Sequence, residues 1–182
     1  MNTNGWTLDT AHSGIAFSVR HMVVAKVRGR FASWSGNVEL NEDDLARSKV
    51  EVEIDSRSLD TGNAQRDEHL RSADFFAVEQ FPTLRFVSRS IENVAADRFR
   101  VLGDLTLRGV TREVVLNVER GGEAKDPWGN RRAGFAATAS IQRSDFGLVY
   151  NQALETGGVL VGDRVDIELD VQAVQSAARK TA

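Results

Sequence analysis

Apolar and polar residues alternate with a period of two along most of this 182-residue chain. Ile15, Phe17 and Val19 fall on one face of a run whose other face carries Ala16, Ser18 and Arg20. Val50, Val52 and Ile54 alternate with Glu51, Glu53 and Asp55. The same rhythm returns in Val114, Leu116 and Val118, in Phe135, Ala137, Ala139 and Ile141, and in Val165, Ile167, Leu169 and Val171. Successive side chains of a strand point to opposite sides, so each run predicts a strand with one buried face. Gly103-Asp104, Gly121-Gly122 and Asp126-Pro127-Trp128-Gly129-Asn130 read as turns between strands. One stretch departs from the rhythm. Residues 62–73 are polar, rich in helix formers and free of alternation, which predicts a short helix followed by Phe75-Phe76. The pattern lapses again near the end, so residues 1–173 read as one domain and 174–182 as a frayed tail.

Many strands, hairpin-like connections and a single helix make an all-β chain. Alternation alone fits a sandwich as well as a closed barrel. A barrel of about eight strands has no exposed edge and can hold one small ligand. The bulk properties narrow function more than fold. A net charge of -3 argues against a general nucleic-acid binder. With no cysteine in the chain, disulfides, thiolate metal sites and a Cys nucleophile are excluded. The first residues show no basic and apolar leader pattern, and no run reaches the length of a membrane span. The expectation is a soluble, cytoplasmic protein without a transmembrane segment.

Candidate chemistry is sparse. His12, His21 and His69 are the three histidines, and no two have the i, i+4 spacing of a helical metal site. A hydrogen-bonded histidine is the commoner reading, so no metal and no catalytic residue is assigned. His21 shares strand parity with Phe17 and Val19 and is expected to face inward. His69 stands in Arg66-Asp67-Glu68-His69-Leu70-Arg71, which suits acid–base work or the solvated face of a helix. Arg66 and Arg71 could each meet an anionic head group, because guanidinium matches phosphate oxygens; Arg66 is favoured. Gly-x-Ser-x-Gly, dinucleotide-binding and P-loop patterns are missing from the sequence. Asp9 and His12 read as a polar cluster fixing the first hairpin. Phe17, Val19, Phe31, Phe86, Phe135 and Tyr150 either fill a core or line a cavity. Small residues at Gly29, Gly36, 133–139 and Gly157-Gly158 argue for unfilled volume.

Three stretches together resemble the YceI family of polyisoprenoid-binding, lipocalin-like proteins. They are Leu8-Asp9-Thr10-Ala11-His12-Ser13-Gly14-Ile15-Ala16-Phe17-Ser18-Val19-Arg20-His21, then Gln65-Arg66-Asp67-Glu68-His69-Leu70-Arg71-Ser72-Ala73-Asp74-Phe75-Phe76, and Gly103-Asp104-Leu105-Thr106-Leu107-Arg108-Gly109-Val110-Thr111-Arg112. Arg143-Ser144-Asp145-Phe146-Gly147-Leu148 and Tyr150-Asn151-Gln152-Ala153-Leu154-Glu155 extend the likeness. The resemblance implies an antiparallel lipocalin-like β-barrel of about eight strands with a short helix near its mouth. It also implies a non-enzymatic binding or carrier protein, with no cofactor beyond a bound isoprenoid, quinone-like or related long-chain lipid. The resemblance does not fix the contact residues; by strand parity and position the tail would lie among Phe17, Val19, Phe31, Phe86, Phe135 and Tyr150, and the head near Arg66, His69 and Asn151, with His21 also in the ligand-binding set. Many family members carry a secretion signal, from which this chain departs, and some are dimeric, so a homodimer is a further expectation. The rival readings are a lipid-modifying or hydrolytic enzyme using His21 or His69, and a ligand-free structural or stress module.

Overall fold

The computed structural model describes residues 4–41 and 43–175. Its strands are β1 (Asn4–Leu8), β2 (Gly14–His21), β3 (Ala25–Phe31), β4 (Trp34–Leu40), β5 (Lys49–Asp55), β6 (Leu59–Asp60), β7 (Thr83–Ala95), β8 (Arg98–Leu107), β9 (Val110–Lys125), β10 (Arg131–Gln142) and β11 (Val161–Gln175), with one α-helix, α1 (Ala64–Arg71), between β6 and β7. The antiparallel order β1-β4-β5-β7-β8-β9-β10-β11 closes on itself through β1–β11 pairing. The result is a closed eight-strand barrel.

The remaining strands extend its walls. The long β11 pairs with β1 at residues 173–175 and with β2 from 161 to 170. β2 pairs with β3, and β3 with β6, beside the pairings of β1 with β4 and β4 with β5. β1 and β2 are thus the two halves of one bent stave, as are β3 and β4, and β5 and β6. Short 3-10 turns at Thr10–His12 and Ser56–Ser58 make two of the breaks. Hydrogen bonds carry the ladder across them: Asp9 N–H to Gln172 O (2.8 Å), Ala32 N–H to Ser58 O (3.1 Å) and Asp55 N–H to Ser33 O (3.0 Å). The Asp9–His12 pair therefore sits at a bend inside a stave and does not fix a hairpin.

Two expected turns are strand interior. Gly103-Asp104 lies within β8, and the chain reverses later, at Arg108-Gly109, where both residues have positive φ. Gly121-Gly122 lies within β9, opposite the register shift between Ala133 and Phe135. Glycine inside a strand often marks such a bulge. The tail also begins later than the pattern suggests, because Val174 pairs with Thr7 and Arg132, and Gln175 with Trp6. The rest of that predicted tail lies outside the described residues.

Helix α1 is as expected. The Asn63 side chain caps its start by accepting from Arg66 N–H (2.9 Å). Buried Asp67 accepts from Thr61 N–H (3.0 Å), holding the helix to the end of β6. After α1 the chain folds over that end of the barrel and buries Phe75, Ala77 and Val78. Beneath it, Leu59, Ser56 and Phe146 are almost wholly enclosed.

Candidate ligand cavity

The apolar faces predicted from alternation all turn inward and pack into core clusters, yet they do not fill the interior. They enclose a cavity of about 630 Å³. Its wall takes Ile15, Phe17 and Val19 from β2, Val50, Val52 and Ile54 from β5, and Leu116 and Val118 from β9. Phe135, Ala137 and Ile141 of β10 and Ile167, Leu169 and Val171 of β11 complete much of the rest.

Glycine keeps the lumen open by letting rings lie against the wall. Gly29 is the cross-strand partner of Phe17. A Cβ on Gly29 would stand 2.3 Å from the Phe17 ring. Gly103 accepts the Phe86 ring in the same way, at 2.5 Å. Of the small residues noted in the sequence, Gly29 makes room for an aromatic ring, whereas Gly36 lies under Leu8 and Val52. Phe17 and Phe31 meet at 5.5 Å between centroids, and Phe31 meets Phe76 edge-on at 5.9 Å.

Polar groups reach the cavity at its ends. At the α1 end, Phe75, Leu84, Leu107 and Leu148 are buried and Arg143 is 6% exposed. The Arg143 guanidinium donates to Gly162 O (2.9 Å), Leu148 O (2.7 Å) and Val161 O (3.3 Å). Burial pushes its pKa down, and the charge of Asp163 opposes that shift. Asp163 itself accepts from Ser144 N–H (2.9 Å) and Ser144 Oγ (2.7 Å). Among the described residues, no carboxylate is paired with Arg143.

The opposite end is the more open one, with Asn93 and Ala96 exposed on the lining. Arg120 and Arg131 reach the cavity there, and both pair with Glu123. Arg131 also lies over the Trp6 ring at 5.5 Å. A carboxylate–guanidinium cluster braces this end. Arg132 donates to Asp9 Oδ2 (2.6 Å) and to Asp126 Oδ2 (3.1 Å). Bonds from Arg132 and then His12 hold Asp9 down at about 2. Burial pushes Asp126 up, but bonds from the Asn130 side chain and backbone, from Arg132 and from Trp128 N–H outweigh it and bring the carboxyl to about 2.

The residues picked from sequence divide by position. Phe17, Val19, Phe31, Phe86 and Phe135 line the cavity. His21, Arg66, His69, Tyr150 and Asn151 are not part of that lining. His21 is half-buried at the end of β2, paired with Ala25 and Val161. Arg66 is spent on Thr61, through its Oγ1 (2.8 Å) and its carbonyl (2.9 Å). His69 bonds Asp74 (2.8 Å) and stands edge-on to Phe75 and Tyr150. Asn151 ties its own loop to Val161, donating to the carbonyl (2.7 Å) and accepting from the N–H (3.0 Å). Arg143, Arg120, Arg131 and Asn93 were not picked. Parity could have found three of them, since Arg131 and Arg143 lie at the two ends of the inward series Ala133, Phe135, Ala137, Ala139, Ile141, and Arg120 continues Val114, Leu116, Val118.

The fold and sequence have clear relatives. A profile of the YceI-like domain matches residues 6–173. A UPF0312 protein of Vibrio cholerae is 38% identical over 176 residues, spanning 96% of this chain and 89% of that protein. The crystal structure of Burkholderia cenocepacia BcnA superposes with a TM-score of 0.80 at 23% identity, over 91% of this chain and 98% of its own. A polyisoprenoid binding domain from Saccharophagus degradans, implicated in plant cell wall breakdown, gives a TM-score of 0.69 at 17% identity, over 94% and 98%. With the profile spanning nearly the whole barrel and a full-length relative at this identity, the chain belongs to the YceI-like family.

Proposed function

We propose that this protein is a non-enzymatic carrier that encloses one long-chain amphiphile, of the isoprenoid or quinone-like class, inside the barrel. The observation that carries the reading is the apolar void of about 630 Å³ within a closed sheet. Each methylene moved from water into such a lining contributes about 0.8 kcal/mol, so affinity grows with tail length. A relative of the same fold is described as a polyisoprenoid binding domain, which favours that ligand class.

Arg143 supplies the polar contact. A guanidinium has five N–H donors, and three are engaged by backbone carbonyls. An oxygen acceptor on the ligand, a quinone carbonyl, carboxylate or amide, satisfies the remainder and offsets the desolvated charge. The head then sits at the α1 end, and the tail runs toward Trp6 and Phe99. The enzymatic alternative finds its two histidines outside the cavity lining.

Mass spectrometry of an organic extract of purified protein tests the reading, repeated after incubation with isoprenoid lipids. One stoichiometric long-chain species carrying an acceptor head is expected. An empty extract in both conditions, or turnover of the added lipid that His69→Ala abolishes, overturns it.

A further inference from the structure

The turn joining β2 to β3 breaks the local rules for a hairpin. Met22 and Val23 hold φ values of 53° and 66°. Consecutive left-handed residues in a tight turn are usually Asn or Gly, and a β-branched residue there is a true outlier. The strained tip is also apolar and exposed, with Met22 at 46%, Val23 at 61% and Val24 at 85%. A second apolar edge lies against it. Met22 N–H donates to Leu160 O (2.9 Å), and a Cβ on Gly158 would come within 3.4 Å of Val23 Cγ2. Val159 on that loop is 45% exposed.

Charge follows the same face. Arg20 and Lys26 are direct cross-strand partners, and Arg28 lies opposite Ser18, all three exposed. Arg20 donates to Val23 O within the turn (3.4 Å) and Lys26 reaches Asp166 (3.7 Å), which offsets part of the charge and leaves the guanidinium groups of Arg20 and Arg28 as its larger share. In a chain of net charge -3, this is a basic collar around an apolar tip. Both edges lead directly to the cavity wall, because Val19 precedes the tip and Val161 follows the second edge, and both line the cavity.

We propose that the 22–24 tip and the 157–160 loop form a lip that docks on an anionic lipid bilayer, the apolar residues entering the interface and the collar meeting the head groups. Strain at a position where Asn-Gly would relax it points to a function for the apolar tip. Apolar insertion combined with cationic flanks is the arrangement that binds membrane surfaces reversibly. The lip's part in loading the cavity rests on the carrier reading above; docking itself does not.

Flotation with vesicles of neutral phospholipid, with and without an anionic component, tests docking, compared with the double substitution Met22→Asn, Val23→Gly. The parent is expected to float with anionic vesicles and to release as salt rises. The variant, whose turn is relaxed and whose melting temperature holds or rises, is expected to lose roughly tenfold or more in vesicle affinity. Uptake of farnesol from solution is measured on both proteins in parallel. Equal uptake with loss of flotation establishes a docking lip separate from the cavity. Flotation without uptake by either protein leaves the lip standing and removes the carrier reading. A parent that does not float, a variant that floats equally well, or a concentration-dependent dimer that the substitution abolishes overturns the bilayer proposal; the last outcome makes the patch a contact between two copies.

Discussion

Replacing Gly29 with Ala should leave the barrel folded and cripple its cavity. The new Cβ would lie 2.3 Å from Phe17 Cζ and 2.9 Å from the two adjacent ring carbons. No such contact survives, so the ring must swing off the wall. Overpacking a filled core costs about 1–3 kcal/mol. Here the ring has a void to enter, which holds the cost near the lower bound. Ala also reduces the freedom of the unfolded chain, a gain of about 0.4–1 kcal/mol where the backbone is compatible. The two nearly cancel, and Gly29 has no positive φ to strain the substitution. The melting temperature should therefore move by a few degrees at most. Binding responds differently. A phenyl ring needs on the order of 150 Å³, the size of a cavity that accepts benzene, against a void of about 630 Å³. About a quarter of the space is lost, roughly the room for one five-carbon isoprene unit. At about 0.8 kcal/mol per carbon the ceiling is about 4 kcal/mol. A flexible tail shifts to recover part of it, which leaves about 1–3 kcal/mol, or roughly tenfold to a hundredfold in affinity. Titration of a long-chain isoprenoid alcohol against wild type, Gly29→Ala, Phe17→Ala and the double variant measures the coupling. In the Phe17→Ala background the glycine substitution should change affinity by less than about twofold. Unchanged affinity in Gly29→Ala, or the same penalty without the Phe17 ring, refutes the argument that glycine opens the lumen through that ring.

Three further outcomes follow from the packing. Phe146→Ala, at a side chain only 1% exposed beneath α1, should lower stability by about 3–5 kcal/mol in urea unfolding; a loss below 1 kcal/mol would show that the α1 end collapses around the gap. Arg143→Met strips three carbonyls of their donor while relieving a desolvated charge, for a net fall of about 2–4 kcal/mol. It should also erase the protein's preference for an acceptor-headed chain over an all-hydrocarbon one, whereas a purely structural arginine would leave that preference intact. For Asp9 and Asp126, both near 2, a carboxyl depressed in the fold stabilises it above the unfolded value of about 3.9 and loses that contribution as pH falls toward 2. Melting temperatures followed from pH 6 to pH 2 should fall most steeply below pH 4, and Arg132→Gln should lower the neutral-pH value and flatten that slope; a parallel slope would place the acid sensitivity elsewhere.

Alternation determined the class of this protein. A side chain on every second residue of Ile15–Val19, Val50–Ile54, Phe135–Ile141 or Val165–Val171 faces one way whatever the strand pairs with, so the inward set was readable without coordinates. Family likeness then separated barrel from sandwich, which alternation could not, because both architectures bury one face of each strand. Helix α1 was legible because its polar residues lack the strand period. Other features depended on pairing between distant segments. Gly103 looks like a turn residue locally, but it pairs with Ser88 and Val114, since cross-strand hydrogen bonds override a local preference, and Gly121 marks a bulge inside β9 where it was read as a turn. The fates of Arg66 and Asn151 were equally hidden: each faces a backbone partner supplied by folding, Thr61 in one case and Val161 in the other. Arg143 sat in plain view at an inward position, yet only the closure of the loop from Leu148 to Gly162 around it makes a guanidinium stable there. Whether the inward faces fill the interior is likewise a tertiary matter. The sequence determines which residues point into the barrel; the barrel's circumference, set by eight strands and their stagger, decides that their packing leaves a cavity unfilled.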